Sequence, residues 1–415
     1  MTNVDFRSRR RSVLLAGANL LVLGATNARA QSARPFKIGV LTDMSSLYQD
    51  VTGKGSVEAA KMAVEDFVKE SGGKTRRPIE IISADHQNKA DIGAAVAREW
   101  IDRDGVDVIA DVPTSSVALA VNNVVRNKNK ALLVSGSSSS DLTGKHCSPT
   151  TVQWTYDTYA LAVGAATGVT QAGGKTWYTL TVDYAFGHAM ARDLGDAIAR
   201  NGGKIVGNVL TPLNTLDFSS FLLQAQASGA QVVGLINAGG DTINSIKQAV
   251  EFGIPQGGQR LVATVLYVDD VHSLGLQVAQ GLQFTESFYW DLNTDTRGWS
   301  ERFAGRMGGK RPSALQAGVY ASVLHCLRAE AELGDSSDGR ALVAKMKAMA
   351  TDDPLFGKGS IREDGRKLHD MYLFEVKKPE ESKYPWDYYR VLEAIPADQV
   401  WRPLSEGGCE FIKAT

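Results

Sequence analysis

The sequence has no strong excess of either charge, and beyond its N-terminus it has no long apolar run. It carries 45 basic and 46 acidic residues in 415 positions, which gives a formal net charge of −1. Proteins that bind nucleic acid carry a basic patch or stripe, so the balance disfavours that class. No segment approaches the roughly 20 apolar residues of a membrane-spanning helix. The 43% hydrophobic content instead suits a protein with two sizeable cores.

Common catalytic and metal-binding motifs are also missing. The sequence contains neither G-x-S-x-G nor H-E-x-x-H, and its histidines show no metal-ligand spacing. Gly174-Lys175-Thr176 looks like the end of a phosphate loop, but Val169 stands where that loop needs a glycine. We therefore expect a protein that is not an enzyme and has no cofactor and no metal. A secreted α/β hydrolase is the alternative, and it would require a nucleophile with a positioned base.

The N-terminus has the features of an export signal. Basic residues Arg7 to Arg11 precede an apolar run from Val13 to Leu23, and Ala28-Arg29-Ala30 fits the small-x-small cleavage rule. Residues 1–30 are therefore predicted to be cleaved. A twin-arginine signal and an ordinary secretory signal both fit the pattern. No cysteine follows the cleavage site, so a lipid anchor is not expected.

Cysteine is scarce, with three in the whole chain. Cys147 and Cys409 each lie in a predicted loop, whereas Cys326 lies within a predicted helix. Because export permits oxidation, we predict a disulfide between Cys147 and Cys409 and a buried thiol at Cys326.

Strand and helix patterns alternate through most of the chain. The first unit is the apolar run Phe36–Leu41, the polar loop Thr42–Tyr48 and an apolar helical stripe from Val57 to Phe67. The alternation restarts at Thr176–Val182 and continues to Leu261–Val265. Alternating strands and helices predict an α/β fold with mainly parallel, doubly wound sheets. Such folds bind ligands at the carboxyl ends of the strands.

The last part of the chain has a different pattern. From about residue 294 three helices are predicted, and Gly357–Ile361 and Met371–Val376 are expected to pair with each other antiparallel. Residues 377–415 are predicted to form an irregular tail. We expect two α/β lobes joined by several hinge crossings, with residues 35–153 and about 288–376 in lobe 1 and residues 154–287 in lobe 2.

The order of these segments, with KIGVLTDMSSLY, DVPTSS, VSGSSSS and TVDYAFGH, resembles a known family. It is similar to the periplasmic solute-binding proteins of ABC importers, of the branched-chain amino-acid (leucine/isoleucine/valine) type, over residues 35 to 376. The resemblance implies a type I periplasmic-binding-protein fold whose two lobes close over a ligand. It also implies that the loops after corresponding strands hold the ligand.

The resemblance and the predicted strand ends together give a set of ligand-binding candidates: Ser46, Tyr48, Pro113, Thr114, Ser115, Ser135, Ser137, Ser138, Trp154, Tyr156, Asp183, Tyr184, Phe186, Asn237, Gly239 and Asp241. Each has a structural alternative. Thr114 and Ser115 suit a carboxylate at a helix N-terminus, but the same residue types cap helices. The glycine-rich segment Asn237–Asp241 is either a close approach to ligand or a tight turn. Ser137 is the favoured serine of its loop.

The predicted ligand is a small carboxylic acid without an α-amino group, favoured to carry an aromatic ring. Amino-acid binders of the similar family place a carboxylate just beyond the strand that corresponds to Leu261–Val265. Here that position reads Val265-Leu266-Tyr267, and an unpaired buried ammonium group would be costly. Asp241 or Asp269 is the alternative partner for an ammonium group. Amide or urea binding is a further alternative.

The resemblance therefore implies a periplasmic, non-enzymatic protein that captures a small solute and presents it to the permease subunits of an ABC importer. We expect a monomer with no nucleic-acid partner. A ligand sensor that docks on a membrane receptor with the same fold remains an alternative.

Overall fold

The computed structural model describes residues 34–73, 75–334 and 337–412. The predicted export signal, residues 1–30, lies outside the described residues. No helix within the described ranges is both long and apolar enough to cross a membrane.

The first half of the described chain forms a parallel sheet covered by helices. Its strands are β1 (Phe36–Thr42), β2 (Ile79–Asp85), β3 (Val108–Asp111), β4 (Ala131–Val134) and β5 (Thr151–Gln153), and its helices are α1 (Gly53–Glu70), α2 (Ala90–Glu99) and α3 (Ser115–Lys128). The strands lie in the order β2-β1-β3-β4-β5. Strands β3 and β4 are buried along their whole length, as expected of short apolar strands with helices on both faces.

A second parallel sheet repeats this order. Its strands are β6 (Thr176–Val182), β7 (Lys204–Thr211), β8 (Val232–Ile236) and β9 (Arg260–Ala263), and its helices are α4 (Thr158–Gln171), α5 (Ala185–Arg200), α6 (Ser219–Ala227), α7 (Gly240–Glu251), α8 (Val268–Leu274) and α9 (Leu276–Ala279). The order is β7-β6-β8-β9. In each sheet the order of strands reverses between β1 and β3 or between β6 and β8, which makes a crevice at the carboxyl ends of these parallel strands. The α/β fold class with two lobes is confirmed.

The remaining elements form two small antiparallel sheets and a helical layer. The strands are β10 (Gln283–Glu286), β11 (Thr351–Asp353), β12 (Gly357–Ile361), β13 (Lys367–Leu368), β14 (Met371–Val376) and β15 (Tyr389–Ile395), and the helices are α10 (Thr294–Arg306), α11 (Ala314–Leu333), α12 (Gly339–Ala348) and α13 (Ala397–Val400). Strand β14 lies between β10 and β15, and β12 lies between β11 and β13.

Three expectations about this region are wrong. Segments 357–361 and 371–376 do not pair with each other, because each belongs to a different small sheet. Residues 377–415 are not irregular throughout, because β15 pairs with β14 along its length. Strand β14 pairs with β10. The predicted lobe boundary puts β14 in lobe 1 and β10 in lobe 2, and it therefore separates two strands that are hydrogen-bonded to each other.

The cysteine prediction is confirmed. Cys147 and Cys409 form a disulfide, with their Cα atoms 5.6 Å apart, and Cys326 is a buried free thiol in α11. The disulfide attaches the C-terminal segment after α13 to the loop between β4 and β5. Covalent attachment therefore fixes a segment that has few secondary-structure hydrogen bonds of its own.

Candidate ligand-binding site

The loops that follow the central strands of the two parallel sheets meet face to face. Tyr48, in the loop after β1, reaches Tyr184, which follows β6, with their hydroxyl oxygens 2.8 Å apart. Gly239, after β8, lies against the backbone of Leu47, so that an added Cβ would sit 2.6 Å from the Leu47 carbonyl oxygen. The crevices of the two sheets are thus joined into one interface.

The loop that carries Tyr48 is shaped by a single buried carboxylate. Asp43 accepts hydrogen bonds from the backbone N–H groups of Ser46 and Tyr48, both at 2.9 Å, and from the Ser46 hydroxyl at 2.6 Å. The Ser46 side chain is therefore used to fold the loop. Tyr48 is left projecting from a loop whose backbone is fixed.

A small cavity of about 10 Å³ lies at this interface. Its lining includes these residues predicted from the sequence: Tyr48, Pro113, Ser115, Ser138, Tyr184 and Phe186. It also includes residues that the sequence analysis missed: Gly136, Ala238, Val265, Tyr267 and Leu315. The cavity has room for about one water molecule, so a larger ligand requires the loops to separate.

One end of the cavity is lined by neutral hydrogen-bonding groups. Ser115 is the first residue of α3, and its hydroxyl oxygen lies 3.1 Å from that of Ser137 and 3.3 Å from the Ser139 nitrogen. Thr114 makes no capping hydrogen bond with its side chain and bonds Asn88 instead. The first N–H groups of a helix have no partners inside the helix and favour an anion. This end is therefore suited to a carboxylate.

The backbone before α3 is held in an unusual conformation. Asp111 and Val112 have φ values of +81° and +53°, a region that β-branched residues seldom adopt. Gly136 lies against this turn, since an added Cβ would be 2.5 Å from the Cα atom of Pro113. Burial raises the pKa of the Asp111 carboxyl to about 6. Ser135 contacts Asp111, with 3.4 Å between their side-chain oxygens, and does not line the cavity.

The rest of the cavity is aromatic and aliphatic. Tyr48, Tyr184 and Tyr267 line the cavity. Tyr48 and Tyr184 pair through their hydroxyl groups, and Tyr267 pairs with Tyr156, which lies outside the lining. Burial raises the pKa of all four tyrosines, so they are neutral near pH 7. A tyrosine presents an apolar ring together with a hydroxyl group. The lining therefore offers ring surface and neutral hydroxyls, and among the described lining residues none carries a charge.

Several predicted residues lie close to the cavity but do not line it. Trp154 is fully buried and packs on His325, with ring centroids 5.6 Å apart. Asp183 is half exposed and pairs with His188 at 3.0 Å. Asn237 bonds Thr242 and Ser245 within its own turn. Trp154 thus belongs to the core, and the other two support the local loops.

Asp241 is a carboxylate whose charge acts on the tyrosine pair. Its Oδ2 atom accepts a hydrogen bond of 3.0 Å from the Asn214 nitrogen, while Oδ1 is buried without a partner among the described residues. Burial raises the pKa of Asp241 to about 6. Besides burial, its charge helps to raise the pKa of Tyr48 and Tyr184. Asp269 instead lines a neighbouring pocket.

Comparison with known proteins identifies the family. The model of the periplasmic binding protein family matches residues 35–382. A periplasmic binding protein from Burkholderia mallei is 49% identical, with a TM-score of 0.88 over 91% of this chain and 99% of that chain. A branched-chain amino acid ABC transporter periplasmic ligand-binding protein from Burkholderia xenovorans LB400 is 40% identical, with a TM-score of 0.80 over the same shares.

A more distant structure has the same fold. A solute-binding protein of an ABC transporter from R. palustris, in complex with 4-hydroxybenzoate, is 22% identical, with a TM-score of 0.78 over 89% of this chain and 99% of that chain. The resemblance seen in the sequence and the expectation that the protein is not an enzyme are confirmed. The chain belongs to the periplasmic binding protein family, the solute-binding proteins that serve ABC transporters.

Proposed function

We propose that the protein captures a small aromatic carboxylic acid between its lobes and delivers it to the permease subunits of an ABC importer. The observation that carries this proposal is the polarity of the cavity lining. Neutral donors and a helix N-terminus lie at the end formed by Ser115 and Gly136, and tyrosine and phenylalanine rings lie around the rest. A carboxylate binds well to such donors without a buried counter-charge, and an aromatic ring packs on the tyrosines.

Export to the periplasm, the cleaved signal of residues 1–30 and a monomeric state are parts of this proposal. So is hinge closure between two lobes, which the Tyr48–Tyr184 and Leu47–Gly239 contacts support because they join loops of different sheets. A ligand that contacts both sets of loops favours the closed state over the open one. The binding of 4-hydroxybenzoate by the R. palustris protein shows that this fold accommodates such acids.

Isothermal titration with benzoate, 4-hydroxybenzoate, leucine and phenylalanine tests the ligand class. We expect benzoate-type acids to bind with micromolar affinity and the amino acids to bind far more weakly. Binding of leucine or phenylalanine with no binding of the aromatic acids would contradict the proposal.

Branched-chain or other amino-acid binding is the second candidate function. The unpaired Oδ1 atom of Asp241, whose charge acts on Tyr48 and Tyr184, favours it, because a buried carboxylate is the natural partner of an ammonium group. Asp241→Asn separates the two candidates. Loss of leucine binding in this variant would support the second, whereas unchanged binding of benzoate would support the first.

Ser115→Ala is expected to weaken the binding of benzoate by about 2 kcal/mol, the loss of a hydrogen bond to a charged group. The matched control is Ser220→Ala, because Ser220 also lies in the first turn of a helix, α6, but is exposed and distant in sequence from every cavity residue. Calorimetric affinities of both variants measure the effect. Equal affinities in the two variants would show that Ser115 does not contact the carboxylate.

Gly239→Ala is expected to weaken benzoate binding by about tenfold, or 1.4 kcal/mol. The added methyl group would meet the Leu47 carbonyl oxygen and hinder closure. Gly229→Ala is the matched control, since Gly229 has a similar φ of +65° but no atom within 4 Å of an added Cβ. Small-angle scattering with benzoate present should show a more open Gly239→Ala variant. If both variants bind benzoate equally, closure does not depend on the Leu47–Gly239 approach.

A further inference from the structure

A second and larger pocket lies beside the cavity and has a different chemical character. It has a volume of about 470 Å³ and lies between the start of α1, the end of α10 and the loop before α11, with Asp269 of α8 on its far side. Its basic lining residues are Lys54, Arg306, Lys310 and Arg311. The central cavity, by contrast, is lined by neutral residues.

Three of these basic residues, Arg306, Lys310 and Arg311, form ion pairs within the protein. Arg306 bonds Glu58 at 3.0 Å and Glu65 at 2.6 Å, and Lys310 pairs with Asp50 at 3.0 Å. The Asp269 carboxyl is buried, and burial raises its pKa well above the ordinary value, which disfavours its charged form. The groups left for a ligand are therefore Lys54 and the donors of Arg311 that Glu301 does not use.

Arg311 and Lys54 have donor groups that the protein itself does not use. The guanidinium group of Arg311 stacks on Trp290 at 4.2 Å, and its Nη2 atom lies 2.9 Å from Glu301. Its Nε and Nη1 atoms are buried and have no hydrogen-bond partner among the described residues. Lys54 makes no ion pair within the described part of the chain. Buried N–H groups without acceptors are costly, so an acceptor that reached Arg311 would relieve this cost.

We infer that this pocket is a second binding site, for a small oxyanion held by Arg311 and assisted by Lys54. A planar guanidinium group fixed by an aromatic ring is the side chain best suited to carboxylate and phosphate oxygens. The shared chemistry of the ligand is an anionic group with several acceptor oxygens. The site is separate from the cavity between Tyr48 and Tyr184 and does not depend on which solute that cavity binds.

The test uses the whole exported protein and two probes, inorganic phosphate and acetate, at constant ionic strength. Trp290 stacks on Arg311, so we expect a saturable change in tryptophan fluorescence and a matching heat of binding with at least one probe. Arg311→Gln is expected to weaken binding at least tenfold, since a hydrogen bond to a charged group contributes about 1.5–3 kcal/mol. Arg98→Gln, which removes an equal charge from an exposed position on α2, should bind as the unmodified protein does.

Two further variants keep the result interpretable. Trp290→Phe should remove the fluorescence change while the heat of binding remains, which places the anion beside this ring. Lys54→Gln, at an exposed position, should weaken binding less than Arg311→Gln and serves as the second variant if the latter unfolds. Response to phosphate alone identifies a phosphate-type site, and response to both probes identifies a carboxylate site. Binding unaffected by either substitution, or absence of saturation with both probes, would overturn the inference.

Discussion

Replacing both Cys147 and Cys409 by serine is expected to lower the free energy of unfolding by about 4–5 kcal/mol, the upper range for a crosslink that closes a long loop. The two cysteines are 262 residues apart in the sequence. In the unfolded chain the crosslink therefore removes more conformational freedom than any local bond does. In the folded chain it attaches the segment after α13 to the loop between β4 and β5.

Contacts around the disulfide already bring these two segments together. Arg402 donates a hydrogen bond of 2.9 Å to the Ser140 carbonyl oxygen, and Arg362 donates one of 2.7 Å to the carbonyl oxygen of Arg402. The folded state of the double variant should therefore keep its geometry. The loss of stability then arises mainly from the greater freedom of the unfolded chain.

Urea denaturation of the oxidised protein and of the double variant measures the effect. Cys326→Ala is the matched control, because it removes a buried cysteine without breaking a crosslink and is expected to cost much less. Thiol titration of the unfolded, non-reduced protein should detect one free thiol. Detection of three free thiols would contradict the prediction. So would a double variant whose free energy of unfolding lies within about 1 kcal/mol of that of the unmodified protein.

The central part of the candidate site was predictable because parallel sheets follow a topological rule. Within each sheet the carboxyl ends of the two strands at the reversal, β1 and β3 or β6 and β8, form a crevice. That the two crevices face each other is implied by the family resemblance. Polar or aromatic residues just after those strands, such as Tyr48, Ser115 and Tyr184, therefore line the cavity. The rule gives the position of a loop, but it does not give the direction of each side chain in that loop.

Ser137 illustrates that limit. It was the favoured serine of its loop, but its hydroxyl group bonds that of Ser115, and only Ser115 and Ser138 reach the cavity. Ser46 likewise turns back to Asp43. In a loop of consecutive serines every residue has the same chemistry, so backbone dihedral angles that the sequence does not reveal decide which hydroxyl faces the ligand.

Tyr267 and Leu315 show two different reasons for missing a lining residue. Tyr267 follows the end of β9, where the similar family has a carboxylate, and an aromatic residue at such a strand end is a usable signal of a lining position. Leu315 lies in the first turn of α11, far from any strand end. Its position depends on how α11 packs against α1, which no periodicity in the sequence indicates.

The late strands were mispaired for a related reason. Local patterns identified β12 and β14 correctly as strands. Strand β12 pairs with its sequence neighbours β11 and β13 in two short antiparallel hairpins. The two-residue strand β13 takes the place predicted for β14, which pairs with β10 and β15 instead.

Lys367 leads to a prediction about the pH dependence of stability. It lies in β13, fully buried, with its Nζ atom 5.7 Å from the Trp154 ring and without a hydrogen-bond partner among the described residues. Burial lowers the pKa of Lys367 to about 8 from the ordinary value of 10.5, although the charge of Asp353 opposes this effect. Arg366 adds to the lowering, and Asp352 and Asp370 oppose it.

The sign of the effect follows from proton binding. Between pH 8 and 10.5 the unfolded chain holds a proton on Lys367 that the folded protein has released, so the free energy of unfolding rises with pH in this window. The full difference is about 3 kcal/mol. Tyrosines such as Tyr156 and Tyr267 act in the opposite direction above about pH 9.5, because burial raises their pKa and the unfolded chain ionises first.

Lys367→Met isolates the contribution of this lysine. Methionine has a side chain of similar length, which would lie between Trp154 and Phe356 without a charge to bury. The variant should therefore be more stable than the unmodified protein at pH 7. At pH 9.5 the two proteins should be closer in stability. Urea denaturation at both values measures the two differences, and the tyrosine contribution cancels because both proteins share it. A difference in unfolding free energy that stays constant from pH 7 to 9.5 would mean that Lys367 titrates normally in the fold. A variant less stable than the unmodified protein at pH 7 would mean that the lysine has a partner, such as Asp353, that outweighs the cost of its burial.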